Sequence, residues 1–317
     1  FLLLSDPEGN VFEAKEYLAV GMSARSFRIP YGDELIDLPY GSNLFMLPGT
    51  HAVGYNLERD TYEEVSEYQG IPVKAVAAFM APAYLQFHLP AFRKTEDATR
   101  LPLFGYTAVG WQNNRFVVSG RRIDPDPRQD LKLVDCEETD RRALEKLRKE
   151  GSNRLSRHLI DNCHFSYGCP AARNFIMDRW ECPLPTSPAC NSRCLGCISY
   201  QAEDSSIESS QNRIAFVPEV SEIVEIAVRH LEQAADPVLS FGQGCEGEPL
   251  LLADLIAESI REIRKRSDRG IINVNTNGSR PEEVAKLCEA GLDSIRVSLN
   301  SAQEKLYNLY YKPVNYD

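Results

Sequence analysis

The sequence predicts a strand-rich N-terminal domain over residues 1–135 and an α/β fold of parallel strands over residues 176–317. Residues 136–175 join the two as a connection that holds a helix and cysteines. Three observations carry this reading. Short β-branched and aromatic runs between Gly, Pro and Asp breaks fill the first part. From Pro218 onward, apolar stripes at helical spacing alternate with short apolar runs. The links between these are tight, so successive strands must run parallel with right-handed crossovers, in an open sheet or a barrel.

In order along the chain, residues 71–79, 84–89 and 115–118 read as strands, and no internal repeat is evident. Residues 137–150 have helix-forming composition, with Ala143, Leu144 and Leu147 at i, i+1 and i+4, and read as a linker helix. Residues 201–213 are polar and read as a loop. Val220, Ile223, Val224, Ala227, Val228 and Leu231 form one helical stripe behind Pro218. Residues 237–241 then read as a buried strand. Leu252, Leu255, Ile256, Ile260 and Ile263 form a second stripe, ended by basic charge and Gly270. Residues 271–274 are the next strand. Pro281 opens a third helix with Val284, Leu287 and Cys288 inward, so Cys288 reads as core, and Gly291 ends it. Residues 294–299 form the last strand.

Composition narrows the function. The chain has 317 residues, 43% hydrophobic and 26% charged, enough for two domains. Its net charge of −11 is spread over both halves, which argues against a broad nucleic-acid footprint. The basic run from Arg261 to Arg266 reads as a solvated helix face. No apolar run approaches the ~18 residues of a membrane span, and residues 1–4 are too short for a signal-peptide core. Seven of nine cysteines fall between Cys163 and Cys245. That pattern suits reduced cytoplasmic thiols, some holding metal, better than a secreted disulfide scaffold. The chain begins without Met and stops at Asp317 with no terminating signal, as a fragment would.

The chemistry-bearing pattern is Cys190-Asn-Ser-Arg-Cys194-Leu-Gly-Cys197, spaced C-x3-C-x2-C. It is one thiolate short of a closed zinc site or a fully ligated [4Fe–4S] cube. Three thiolates on a cube leave one iron open to a further ligand. The alternative is structural zinc with Cys182 or Cys169 as fourth ligand, although zinc usually pairs C-x2-C units. Upstream, Cys163, Cys169 and Cys182 either hold an auxiliary iron–sulfur cluster, with Cys136 or Cys245 as fourth ligand, or pack as buried thiols. His164 reads as a surface or core histidine.

Three further strand tips are too polar or glycine-rich to be mere turns: residues 242–250, 275–278 and 298–300. In parallel α/β folds such tips share one face, where sites form. Residues 242–247 also match G-x-G-x-x-G, the dinucleotide fingerprint. Against that reading, Glu246 and Glu248 put negative charge where a pyrophosphate must sit, and the next strand lacks an acidic tip for the ribose. Glu246 reads as a cap on the following helix or a partner for substrate. Cys245 reads as a packing residue or as a hydrogen-atom donor or acceptor.

Taken together, these residues resemble the radical S-adenosylmethionine (SAM) superfamily, over roughly Cys182 to the chain end. The resemblance implies a parallel (βα) barrel with Cys190, Cys194 and Cys197 holding a [4Fe–4S] cluster after its first strand. Gly247, Glu248 and Pro249 match a Gly-Gly-Glu-Pro turn that grips the methionine amino group, with Glu246 in place of the first glycine. Thr276 and Asn277 match the tip of the third strand, and Ser298 and Asn300 that of the fourth, where relatives contact SAM. Two departures stand out. Gly196 replaces an aromatic residue that lies near the adenine, and only about four of six barrel strands are present. The implied reaction is reductive cleavage of SAM to a 5′-deoxyadenosyl radical that takes hydrogen from substrate. The cofactors are then [4Fe–4S] and SAM, with an auxiliary cluster open. The partners are a reductase or a flavodoxin- or ferredoxin-type electron donor and a peptide or small-molecule substrate, with nucleic acid and membrane disfavoured. Competing classes are a zinc- or iron–sulfur-stabilised binding module, a nucleotide-dependent oxidoreductase using residues 242–247, and an ordinary SAM methyltransferase.

Overall fold

The computed structural model describes residues 1–24, 26–96, 98–101, 105–203, 205 and 207–316. Residues 204 and 206, within the stretch read as a polar loop, lie outside the described residues. The chain divides into two compact units, Phe1–Val134 and Asp135–Asp317. No helix among the described residues is long and apolar enough to cross a membrane.

The first unit is built of short antiparallel strands. Leu2–Ser5 pairs with Val11–Ala14, Lys74–Phe79 and Val109–Gln112. A second sheet forms around Thr50–Asn56, flanked by Tyr17–Ala19, Thr61–Val65 and Phe92–Lys94. The hairpin Val109–Gln112 to Arg115–Arg122 turns on Asn113 (φ 50°) and Asn114 (φ 59°). Two central residues at positive φ make the tight primed turn that matches strand twist, and Asn tolerates it. Leu2, Leu4, Val65, Val73 and Ala77 pack one core of this unit.

In the second unit, α1 (Cys136–Glu150) comes first, capped by Asp135, which accepts from the Glu138 N–H at 3.1 Å. One turn, α2 (Arg154–Arg157), leads into a π-helical run, His158–Ser166, and then α3 (Pro170–Ile176). The stretch read from sequence as a connection therefore packs into this unit, where Ala143, Leu155, Leu159 and Phe175 join its main core. After it come β1 (Glu181–Pro183), α4 (Val220–Gln233), β2 (Val238–Phe241) and α5 (Ala253–Arg264). They are followed by β3 (Ile271–Thr276), α6 (Pro281–Ala290), β4 (Ser294–Val297) and α7 (Glu304–Tyr311). The strands pair in the order β1-β2-β3-β4, all parallel.

The helices sit where their apolar stripes require. Ile223, Ala227 and Leu231 of α4 and Ile256, Ile260 and Ile263 of α5 are wholly buried. A capping box starts α4, with the Glu219 N–H donating to the Glu222 carboxylate at 2.8 Å. Gly291, at φ 110°, ends α6 in the left-handed region that favours glycine. One expectation fails here. Cys288 is exposed, not core. Leu287 and Ala290 take the buried side of α6, and a step of ~100° from Leu287 carries Cys288 out of it.

The sheet itself is two-faced. Leu239 and Phe241 of β2 and Ile272 and Val274 of β3 point into the helix-covered core. Between them, Ser240, Asn273 and Asn275 point the other way and bond to each other. The Asn273 amide donates to the Ser240 hydroxyl at 3.3 Å and to the Asn275 carbonyl oxygen at 3.2 Å. A parallel strand covered by helices on both faces reads as continuous apolar residues. The alternation Ile272-Asn273-Val274-Asn275 signals that one face serves something polar.

Candidate functional site

The carboxyl ends of the four parallel strands carry the site, and its parts are tied together by buried carboxylates. Glu246 follows β2 and is 4% exposed. Its side chain accepts from the Thr186 N–H (2.7 Å), the Thr186 hydroxyl (3.0 Å), the Ser187 N–H (2.9 Å) and the Gln243 N–H (2.7 Å). Burial raises its pKa against the pull of those donors. It neither caps the next helix nor faces outward to a substrate, as the sequence reading had it. It joins the segment after β1 to the turn after β2. Glu246→Ala is therefore expected to leave two buried N–H groups and one half-buried one unpaired and to cost roughly 2 kcal/mol or more, at ~1–3 kcal/mol per buried group. Urea denaturation measures it, and a loss under about 1 kcal/mol would show the contacts to be dispensable.

Glu248 makes the second tie. It accepts from the Thr276 hydroxyl, from the Asn277 N–H at 2.9 Å and from the Leu250 N–H at 3.1 Å. Burial raises its pKa, with Thr276 first among the groups that hold it down. Asn277 in turn reaches the cysteine loop, its side-chain amide donating to the Asn191 side-chain oxygen (Oδ1) at 2.8 Å and the Ser192 hydroxyl at 3.3 Å. Thr276 and Asn277 thus brace the site from the tip of β3. At the next tip, Ser298 donates its N–H to the Thr276 carbonyl at 2.8 Å, while its side chain and that of Asn300 are exposed.

Gly247 shows how tightly the turn meets the loop. Its N–H donates to the Ser187 carbonyl at 2.6 Å, and the Glu248 N–H donates to the Ala189 carbonyl at 2.9 Å. A Cβ at Gly247 would stand 1.9 Å from the Ala189 oxygen. Pro249 follows at the first position of a short 3-10 turn, where its missing N–H costs nothing.

Cys190, Cys194 and Cys197 are half-buried on the loop after β1. Burial pushes Cys194 up to about 12, and the nearby Cys190 and Cys197 add to this. Burial also raises Cys190, where Glu248 and Cys197 add and Arg213 opposes. Cys190, Cys194 and Cys197 therefore lie within electrostatic reach of one another, and Cys190 within reach of Glu248. Cys190 and Cys194 thus resist ionising alone, and thiols grouped in this way suit a metal centre that stabilises thiolates. The Arg213 guanidinium donates to the Cys197 sulfur at 3.4 Å and so sets a positive charge beside it. Gly196 stands against Tyr310, whose hydroxyl a Cβ there would meet at 2.5 Å. The backbone of α7 holds the loop, accepting at Tyr311 from the Arg193 N–H and at Tyr310 from the Leu195 N–H, both at 2.9 Å. A cleft of about 840 Å³ opens beside Arg193, lined by Leu299, Ser301, Tyr307, Lys312 and Tyr316.

The remaining cysteines are placed elsewhere. Cys245 is buried with its sulfur beside that of Cys163 and the ring of His158. The hydrogen bond between the two thiols, together with His158, lowers Cys163 to about 5 and raises Cys245. Cys182 is fully buried in the core, and burial raises its pKa. It is not part of the His158–Cys163–Cys245 group. Cys169 sits half-buried at the edge of the same core, and Cys136 is exposed. His164 is buried and pairs with Asp140 at 2.8 Å. Arg213, Tyr310 and the Ser240–Asn273–Asn275 face escaped the sequence reading. Only the last had a signal, the polar alternation within β3.

Residues 184–317 match the model of a family described as the Radical SAM superfamily. A protein of Methanococcus aeolicus described as a probable GTP 3',8-cyclase is 33% identical to this chain over 127 residues. That stretch is 39% of this chain and 38% of the relative, so the likeness spans well under half of the relative's length.

Proposed function

We infer the activity from one premise: residues 184–317 of this chain are a radical SAM domain. The reading is an iron–sulfur enzyme that generates a 5′-deoxyadenosyl radical and directs it at a substrate. The observation that carries it is the hydrogen-bonded tie between the loop of Cys190, Cys194 and Cys197 and the turn of Glu248, at one end of a parallel sheet.

Cys190, Cys194 and Cys197 would hold a [4Fe–4S] cluster, with Arg213 balancing its charge at Cys197. When bound, that cluster would supply the single electron for reductive cleavage of SAM, the source of a radical able to take hydrogen from substrate. Everything else falls to the protein. Gly247, Glu248 and Pro249 present the turn that receives the methionine amino group. Thr276 and Asn277 fix that turn against the cysteine loop. Ser298 and Asn300, exposed at the tip of β4, are free to meet the ribose or the methionine. Tyr310, against Gly196, supplies the aromatic ring on the adenine side. The cleft beside Arg193 gives room for ligand. The four parallel strands form part of a six-stranded barrel in this reading.

Recognition of a substrate or of a partner is the role proposed for the N-terminal unit. The open substrate classes are a peptide and a small molecule of cofactor biosynthesis. A purine nucleoside triphosphate, the class in the relative's name, belongs among those tested. A ferredoxin, a flavodoxin or a reductase supplies the electron, in a cytoplasmic setting. The dinucleotide alternative for residues 242–247 loses ground, because both Glu246 and Glu248 are buried in that turn and would repel a pyrophosphate.

The test is anaerobic reconstitution with iron and sulfide, then dithionite and SAM, with 5′-deoxyadenosine read by mass spectrometry. Its formation supports the reading, and intact SAM on a loaded cluster counts against it. Within this frame, Glu248→Gln is expected to weaken SAM binding roughly 10- to 100-fold, the worth of a charge-assisted hydrogen bond, while iron content stays at the parent value. Calorimetry on the reconstituted protein measures it, and unchanged affinity would remove Glu248 from the SAM turn.

A further inference from the structure

A second donor cluster lies in the core of the second unit, apart from the cysteine loop. The ligating atoms of His158, Cys163 and Cys245 all fall within 4.8 Å of one another. Cys163 is 4% exposed and Cys245 7%. The Nε2 atom of His158 is buried and has no hydrogen-bond partner. A buried orphan nitrogen of this kind calls for a water or an ion.

The backbone explains why these residues meet. His158 and Cys163 are five apart, at opposite portions of one π-helical run. In an α-helix, residues five apart point ~140° away from each other. Winding with i→i+5 hydrogen bonds brings the fifth residue back over the first. The run is rare in type, and such windings collect at functional sites. Here its effect is to aim an imidazole and a thiol at Cys245, on the turn after β2.

We propose that His158, Cys163 and Cys245 bind one zinc ion. Zinc bond lengths of ~2.3 Å to sulfur and ~2.0 Å to nitrogen place tetrahedral ligands about 3.5–4 Å apart. The observed group needs to close by less than an ångström or so to reach that. An iron–sulfur cube would spread its thiolates over separate irons, farther apart than one ion does. Charge favours zinc as well. Two thiolates, a neutral imidazole and Zn²⁺ sum to zero, the least costly state to bury in the apolar core of this unit. Binding releases the thiol protons to solvent. A water would take the fourth position and keep the site neutral. The ion would clamp the π-helical run to the turn that carries Glu246, Gly247 and Glu248.

The test uses the full chain purified anaerobically without chelator, with metals counted by plasma mass spectrometry. One zinc per chain is expected. It should persist when Cys190, Cys194 and Cys197 are all replaced by alanine, so this result stands apart from any failure of the iron reading. In that triple background, cobalt(II) should give the intense visible bands of tetrahedral thiolate coordination. Cys163→Ser and Cys245→Ser should each abolish the bands. His158→Gln, at a partly exposed position, should weaken zinc at least ~100-fold, above the range for loss of an outer-sphere partner, with unchanged far-UV circular dichroism. The proposal is overturned if the triple variant binds no zinc or gives no thiolate–cobalt bands. It is equally overturned if Cys163→Ser removes iron instead, or if Cys163 and Cys245 are isolated as a disulfide.

Discussion

Cys190→Ala, Cys194→Ala and Cys197→Ala are each expected to bring 5′-deoxyadenosine to background and to remove about four iron atoms per chain. One substitution suffices because the site has no spare ligand. Among the described residues, the other buried thiols are committed to the core or grouped with His158. Arg213 would then face a vacated loop rather than a thiolate. Cys136→Ala and Cys288→Ala are the controls, since both cysteines are exposed on helices away from the loop, and both should leave iron and SAM cleavage unchanged. A loop variant that still cleaves SAM at the parent rate would end the ligand assignment.

Gly247→Ala is expected to be nearly as damaging by another route. The added methyl would meet the Ala189 carbonyl oxygen at 1.9 Å and its carbon at 2.4 Å, backbone atoms beside Cys190. Relief requires breaking the Gly247–Ser187 and Glu248–Ala189 hydrogen bonds together. Overpacking costs typically ~1–3 kcal/mol, and a backbone obstacle belongs at or above the top of that range. The cysteine loop should shift, so SAM cleavage should fall at least as far as stability does. Gly244→Ala is the comparison. Its new methyl meets the ends of Ile198 and Gln211, at 2.9 and 3.2 Å, which can swing away, so its cost should stay near 1 kcal/mol or below. Equal damage from the two substitutions would mean that the close approach to Ala189 does not matter.

What the sequence discloses depends on how far apart the interacting groups lie in it. The stripes of α4 and α5 are legible because a helix writes its buried face into a 3.6-residue period. The cysteine spacing is legible because the ligands share one short loop. Glu246 was not, since its partners Thr186 and Ser187 lie about sixty residues earlier and leave no local mark. Cys288 misled because it adjoins Leu287 on a helix whose buried face is narrow. The association of His158 with Cys163 was hidden for a different reason. A spacing of five is meaningless on an α-helical wheel and becomes contact only under π-winding. In the first unit, strand-like runs were plain. Their pairing was not, because Leu2–Ser5 finds partners about seventy and more than one hundred residues away.

The ties through Glu246 and Asn277 also set an order of events on a growing chain. Thr186 waits for a residue 60 positions later, and Asn191 for one 86 positions later. Contacts of such separation form only after the intervening chain has been made and its loop closed. The cysteine loop leaves the ribosome early, yet its shape is dictated by β2 and β3. In the proposed reading, iron delivered before residue 277 has emerged would find three thiols without a mould, so productive loading would belong to a late stage of folding.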